Sequence, residues 1–225
     1  MFDIIDWQPK ARPGLVTLEG RYVTLEPLDL AAHGAGLYAA VGGDVNAGLW
    51  QYIPLGPFPD KATLCHAMKE AGRHRGWQTM VIRAREGGEV LGMASYMRIR
   101  EEHGSAEVGC VVFGHALQRT RGATEAIALM ARHVFDDLGY RRFEWKCNAA
   151  NDASKRAAIR FGFAYEGTFR NDMVMKGKNR DTAWYSMIDS EWPDVCAAFQ
   201  LWLRPENFDE QGKQKAKLQS YLNAL

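Results

Sequence analysis

Ile127, Met130, Val134 and Leu138 recur at spacings of three, four and four, which lays an apolar stripe along a helix that Gly139 closes as a left-handed cap. A β-rich run, "SAEVGCVVF", precedes this helix and another, "RRFEWKCNA", follows it. Strand, helix, strand in that order is a βαβ unit, and strands joined through a crossover helix pair in parallel. The chain therefore builds a sheet with parallel pairing near its middle.

The flanking segments read as antiparallel. "QTMVIRAREGGEVLGMASYMRIR" is two β-rich runs around Gly87-Gly88, the form of a tight hairpin, and "TFRNDMVMKGKNRDTAWYSMID" is a second hairpin turning near Gly177 to Asn179. "VTLEGRYVTLEPL" alternates apolar and polar residues on both sides of Gly20 and reads as two short strands or a bent one. Helices are expected at "DLAAHGAGLYAAVG", capped by Asp29, and at "PDKATLCHAMKEAGRH", with Leu64, Met68 and Ala71 on one side. "NDASKRAAIRFGF" gives a shorter helix, with Asn151 or Asp152 as cap and Gly162 as stop. The fold class is therefore α/β (α+β), a mixed sheet flanked by helices. No repeat or linker interrupts it, so 1–203 reads as one domain, and the polar stretch 204–225, with Leu218, Tyr221, Leu222 and Leu225, as an appended helix docked on the body or on a second subunit.

Composition narrows the function by exclusion. A net charge of +1 advertises neither a nucleic-acid nor a membrane partner. Cys65, Cys110, Cys147 and Cys196 form no CxxC pair, which disfavours a zinc ribbon or redox dithiol and fits a reducing cytoplasm. "MFDIIDWQPKARPG" carries acidic residues and no long apolar run, so no signal peptide or membrane span is expected there. His103, His115 and His133 lack ligand spacing, and no metal is expected. No GxSxG, HExxH or Walker loop is present, which disfavours hydrolase, metalloprotease and NTPase chemistry.

"LQRTRGATEA", Leu117 to Ala126, sits at the mouth of the amphipathic helix. A helix start presents unpaired N–H groups and the positive end of the macrodipole, the ingredients of a phosphate site. Gly122 and Ala123 leave room for close approach, and Arg119 and Arg121 match phosphate in bidentate geometry. An ordinary capped helix with solvated arginines is the alternative, and the loop alone decides nothing between them.

"EVGCVVFGHALQRTRGATEA", "EWKCNAANDASKRAAIRFGFAYEGTFR" and "KGKNRDTAWYSMIDSEW" together resemble the GNAT acyltransferase superfamily, in its ribosomal-protein N-terminal acetyltransferase (RimJ/RimL-type) branch, over roughly residues 16–192. The resemblance implies the GNAT fold, with about seven strands and a splayed central pair that takes acyl-CoA, here acetyl-CoA as cosubstrate. In the family loop, Q/R-x-x-G-x-G/A, backbone amides bind the pyrophosphate. Gln118 matches its first position and Ala123 its last, while Arg121 stands where the first glycine is expected. The resemblance assigns Gln118, Arg119, Thr120, Arg121, Gly122, Ala123 and Thr124 to the pyrophosphate, Val111, Val112 and Phe113 to the pantetheine arm by strand-like pairing, and Asn151 and Ser154 to that arm and its sulfur.

Acyl transfer to an amine needs a neutral amine, a polarised carbonyl and a proton for the leaving thiolate. An α-amine is roughly one-tenth neutral at pH 7 and a lysine about one part in 2,500, so an α-amine acceptor makes little demand on a base. Glu107, on the strand flanking the thioester, is the base candidate, with a solvent-facing or ion-paired role as the alternative. Many relatives carry a tyrosine acid seven residues past the asparagine. Here that position is Ala158, and Ser154 is the replacement. Lys155 and Arg156 are candidates to meet coenzyme phosphates. "LWQYIPLGPF" resembles the loop that covers the acceptor pocket in similar proteins, which nominates Trp50, Tyr52 and Phe58, with core packing as the alternative for each. Arg170 on the later hairpin, with Asp172 and the charged turn Lys176, Lys178, Arg180 and Asp181, is a candidate to recognise acceptor charge. The function expected is N-acetyl transfer to a protein N-terminus, amino acid or small amine by a cytoplasmic monomer or homodimer. The alternative is a noncatalytic acyl-CoA sensor of the same fold.

Overall fold

The computed structural model describes residues 6–224, so the first five residues of the N-terminal stretch read above lie outside it. Eight strands form one sheet, in the order β1 (Leu18–Glu19), β2 (Val23–Pro27), β3 (Gln78–Ala84), β4 (Val90–Arg100), β5 (Ser105–Phe113), β6 (Arg142–Asn148), β8 (Lys178–Ile188) and β7 (Ala164–Met175). The expected count was about seven. The extra strand is the two-residue β1, which pairs at the sheet edge as Leu18↔Leu25 and Glu19↔Thr24.

β3 and β4 form the hairpin anticipated at Gly87-Gly88, whose φ angles of 79° and 73° favour glycine. β5 and β6 are the parallel pair, and α3 (Arg121–Arg132) crosses between them. Ala126, Ile127, Met130 and Val134 are fully buried against the sheet. Each of the larger three contributes about 1.5–3 kcal/mol of apolar burial. Beyond Arg132 the helix widens into a π turn over His133–Asp137, and Gly139, at φ 67°, ends it. That wider turn leaves Leu138, the last residue of the apolar stripe, only half-buried.

The start of α3 is fastened to the first hairpin by a buried carboxylate. Glu125 accepts the N–H groups of Arg21, Tyr22 and Val23 at 2.8, 2.7 and 2.9 Å. Gly20 is needed there because a Cβ would overlap the Glu125 carboxylate.

α1 (Leu30–Val41), capped by Asp29, and α2 (Lys61–Arg75) pack with Trp50, Phe58 and Met93 into a second core. α4 (Asp152–Arg160) follows β6, with Asn151 as the cap. α5 (Trp192–Trp202) has no counterpart in the sequence reading; Pro193 opens it, and Trp192, Val195, Phe199 and Trp202 form its buried face.

The stretch after residue 203 is mostly not a helix. A short 3₁₀ turn (Pro205–Asn207) leads to a loop closed by a Phe208↔Gln214 bridge and then to α6 (Leu218–Leu222). It docks on the body, with Phe208 and Leu218 in the main core. The Asn207 amide ties it together, donating to the Trp202 and Ala216 carbonyls and accepting the Ala216 N–H at 2.9 Å.

Among the described residues no helix is long and apolar enough to cross a membrane.

Candidate active site

The sheet opens in its middle. β5 and β6 stay in register only from Ser105↔Arg142 to Val108↔Trp145, after which β5 follows β4 and β6 follows β8. A bulge helps turn β5 away. Met93 faces Val112 and Ser95 faces Gly109, so Cys110 and Val111 together oppose a single β4 residue, and Cys110 takes the left-handed φ of 46°. Two chambers meet at this opening and share Leu49, Val111, Phe113, Ala153 and Ala157 as walls.

The first is a groove of about 910 Å³ running past Val111, Val112 and Phe113, the loop residues Gln118 to Arg121, Ala123 and Thr124, and on to Arg160. The loop is built by local hydrogen bonds. The Gln118 side-chain amide donates to the Phe113 carbonyl at 2.9 Å, bracing the strand end, and Arg119 turns the chain with φ 62°. Thr120 caps α3: its hydroxyl donates to the Leu117 carbonyl at 2.7 Å and accepts the Ala123 N–H at 3.2 Å. The N–H groups of Arg121 and Gly122 are then first-turn donors with no carbonyl one turn back.

Two loop residues also make packing contacts that the sequence reading did not anticipate. Gly122 is buried, and a Cβ on it would come within 2.8 Å of Val23 Cγ1, so its glycine lets α3 approach β2. The Arg121 guanidinium lies between the Tyr22 and Phe208 rings, 4.7 and 4.9 Å from their centroids.

The second chamber, about 570 Å³, lies across the opening and is lined by Tyr52, Glu107, Lys146, Asn151, Ser154, Asp172, Arg180 and Trp184, among others. Its charge pattern follows from strand register. Glu107 pairs with Glu144 across β5 and β6, which sets two carboxylates side by side on one face, and Lys146, two residues on, shares that face. The Lys146 ammonium reaches Glu107 at 3.0 Å and Glu144 at 2.8 Å, and stands 3.8 Å over the Trp184 ring. Arg100 and Arg142 each meet Glu144 at 2.8 Å. Burial pushes the Glu107 carboxyl above the ordinary carboxylate range, and Lys146 only partly offsets that. Burial acts on Glu144 too, but hydrogen bonds from Arg142 and Lys146 outweigh it and hold that carboxyl low.

Ser154 lies on the α4 side of this chamber. Its hydroxyl oxygen accepts the Trp145 indole N–H at 3.0 Å, which leaves its own proton to donate. Asn151 accepts the Ser154 N–H at 3.1 Å, so it is an N-cap that also lines the chamber. Ala158 is fully buried in the core. Cys110 lines the chamber, but burial pushes its thiol up to about 12, which keeps it protonated at neutral pH.

Of the four residues nominated for the acceptor, Tyr52 alone lines this chamber. Trp50 is fully buried, donating its indole N–H to the Val41 carbonyl at 2.7 Å, and Phe58 packs edge-on against it. Arg170 stays exposed on β7, while Asp172 and Arg180 of the same hairpin line the wall. Lys176, at an exposed position, donates to the Trp50 and Leu55 carbonyls at 2.8 and 3.1 Å. Lys155 is paired with Asp152 at 2.8 Å. Lys146 went unnoticed in the sequence because the charges at Arg142, Glu144 and Lys146 alternate as on a solvent-facing strand; the signal was a lysine two residues from an acid beside a second acidic strand.

The profile of the acetyltransferase (GNAT) domain matches residues 23–164. This chain belongs to the GNAT acetyltransferase family. A crystal structure of a GCN5-related N-acetyltransferase from Brucella melitensis is 40% identical and superposes with a TM-score of 0.93, covering 98% of this chain and all of that one. Two Bacillus subtilis proteins also match. The uncharacterized N-acetyltransferase YoaA is 29% identical over 107 residues, 48% of this chain and 60% of that one. YdaF, whose name ties it to ribosomal N-acetylation, is 25% identical over 105 residues, 47% of this chain and 57% of that one. The matches thus span about three-fifths of these two relatives' length. The RimJ/RimL-like resemblance agrees with the second name, and the open mixed sheet is that of the family.

Proposed function

We propose that this chain transfers the acetyl group of acetyl-CoA to a primary amine by direct attack within a ternary complex. The observation that carries the reading is the parting of β5 and β6 after Val108 and Trp145, with a groove on one side and a charged chamber on the other. A donor and an acceptor approaching from opposite sides meet at Val111, which is what a one-step transfer requires.

The groove suits acetyl-CoA in chemistry. The β5 edge beyond Val108 offers backbone to a pantetheine arm by strand-like pairing. The first-turn N–H groups of α3 offer donors to a pyrophosphate. The donor supplies the acetyl thioester; the residues of this chain do the rest. A backbone N–H near Val111 or Val112 polarises the carbonyl. Glu107 takes the amine proton, directly or through water, and its raised pKa makes it a better base than an ordinary glutamate once ionised. Ser154, with its oxygen engaged by Trp145, donates a hydrogen bond that stabilises the leaving thiolate, which takes its proton from solvent. The protonated Cys110 does not favour a covalent acyl-enzyme route.

On the acceptor side, Tyr52 provides an aromatic wall and Asp172 a carboxylate for a cationic acceptor. The RimJ/RimL-like resemblance favours an N-terminal or other α-amine, which the modest base requirement suits. The test incubates purified protein with acetyl-CoA and a panel of peptide N-termini, amino acids and polyamines, following free thiol. Acceptor-dependent thiol release supports transfer. Coenzyme binding without such release with any acceptor favours the sensor.

A further inference from the structure

The donor groove does not end at α4. Its far wall is built by the stretch after α5, which lies outside the matched domain: Phe208, Gly212, Lys213 and Gln214 line the groove together with Arg160. A smaller recess of about 300 Å³ continues from Arg160 and Gln214 to Arg156 and Lys217. Four cations, two from α4 and two from this wall, therefore gather at the outer end of the groove. Among the described residues none of the four has a carboxylate within salt-bridge distance. Arg160 is half-buried, stacked 4.9 Å over the Trp202 ring, and its one hydrogen bond to a side chain goes to the Thr124 hydroxyl at 3.1 Å. The carboxylate near Arg156, Asp152, is itself paired with Lys155; cations gathered around a recess without paired carboxylates attract an anion of matching size.

The wall is held in place by the residue that departs from the family loop. Arg121 is clasped between Tyr22 on the first hairpin and Phe208 on the wall, and the Tyr22 hydroxyl donates to the Leu203 carbonyl at 3.1 Å. Gln214 is oriented by the Trp202 indole, which donates to its side-chain oxygen at 2.9 Å, leaving the Gln214 amide protons free. Asp209 closes the turn by accepting the Gln211 and Lys213 N–H groups at 3.1 and 2.8 Å.

We propose that Phe208–Lys217 is a phosphate-reading wall of the donor groove, with Lys213 and Lys217 joining Arg156 and Arg160 around the 3′-phosphate of the coenzyme's nucleotide, and that Arg121 is the positioning residue that fastens it. This rests on the groove being the acetyl-CoA site. Arg121 then contributes to binding by holding the wall rather than by touching a phosphate.

Calorimetry of the full chain with coenzyme A and with 3′-dephospho-coenzyme A tests it. The wild type should prefer coenzyme A by about tenfold or more, the scale of one or two charge-assisted contacts, and less so as salt rises. The double variant Lys213→Ala, Lys217→Ala alters two exposed side chains and should lower the ratio several-fold, Arg156 and Arg160 remaining, while keeping affinity for the dephospho form. Arg121→Gly, which restores the family residue, should lower the ratio too, and coenzyme A should slow tryptic cleavage after Lys213 and Lys215 in the wild type but not in Arg121→Gly. A double variant that keeps the wild-type ratio overturns the proposal while leaving the groove assignment standing. A wild type that binds neither compound overturns both.

Discussion

Replacing Lys146 by Met tests the buried charge cluster directly, because the side chains are similar in length and only the ammonium is lost. In the wild type that ammonium lies 3.0 Å from Glu107 and 2.8 Å from Glu144. At about 3 Å and an effective dielectric of about 20, each attraction is worth roughly 5 kcal/mol, against which stands the cost of desolvating the lysine. Removing one partner of a buried ion pair typically costs about 3–5 kcal/mol, and that is the loss expected at pH 7.5. The pH dependence carries the sharper test. Glu107 already has a folded pKa raised above its unfolded value, and a group of that kind adds stability below the unfolded pKa and loses it as pH rises. Without Lys146 the elevation grows, so the variant should recover part of its loss when taken from pH 7.5 to 5, where Glu107 can protonate. Urea unfolding of both proteins at the two pH values measures it, taking the difference between wild type and variant at each pH so that groups not touching Lys146 cancel; Glu144, which also loses Lys146, shifts the difference in the same direction. A loss under about 1 kcal/mol, or one identical at both pH values, would refute the picture of Lys146 as the counter-charge to two adjacent carboxylates.

The other predictions concern single side chains. Glu107→Gln should lower kcat by about a hundredfold, at the low end for a general base, and should remove the acidic limb of the pH–rate profile, which lies above the ordinary glutamate range in the wild type; an unchanged profile would exclude Glu107 as the base. Ser154→Ala should cut kcat by about tenfold to a hundredfold with little change in coenzyme dissociation constant, and an unaffected kcat would leave the thiolate without a stabilising contact from Ser154. Gly122→Ala should destabilise the fold by about 1–3 kcal/mol in thermal melts, since its Cβ meets Val23 and Leu117, whereas a neutral result would mean that α3 can lift from β2 without penalty. Glu125→Ala, which strands three N–H groups of the first hairpin, should cost about 2–4 kcal/mol in the same assay, and a loss below 1 kcal/mol would show that water replaces the carboxylate.

The elements with strong periodicity or explicit turn chemistry were legible in the sequence. "SAEVGCVVF" is β5 residue for residue, Gly87-Gly88 turns its hairpin, and Leu64, Met68 and Ala71 are the buried face of α2. α5 was legible and went unread: Trp192, Val195, Phe199 and Trp202 recur at spacings of three, four and three, with Pro193 in the first turn. The stretch after residue 203 misled for a different reason: Leu218, Tyr221 and Leu222 do form a helical turn, but Asn207 and Asp209 satisfy the backbone before it through side-chain hydrogen bonds that leave no periodic trace. In the site, strand placement put Glu107, Ser154 and Val111 at the opening, since membership of a strand or a first helical turn fixes position. Trp50 and Phe58 could not be separated from Tyr52 by composition, because a core aromatic and a cavity aromatic differ only in which way the loop turns.

Register explains why Glu107, the proposed base, sits where the sheet parts. A parallel pair that continued past Val108 and Trp145 would carry on in register, with its inner face sealed by neighbouring strands. Pairing stops one residue beyond Glu107 and Glu144, and on β6 the next residue is Lys146, whose ammonium turns back to the two carboxylates. Where β5 and β6 remain paired, the like charges are held side by side; where they part, the chamber opens at Glu107. Glu107 therefore lies at the last point where sheet pairing can both bury a carboxylate, raising its pKa, and expose its oxygens to a substrate. Moving the acid two residues along β5, as in Glu107→Ala with Gly109→Glu, would put it beyond the last paired residue and out of register with Glu144. The transplanted carboxylate should then titrate closer to the ordinary glutamate range and fail to restore turnover, and recovery of the wild-type pH–rate profile in that double variant would show that register does not set the base.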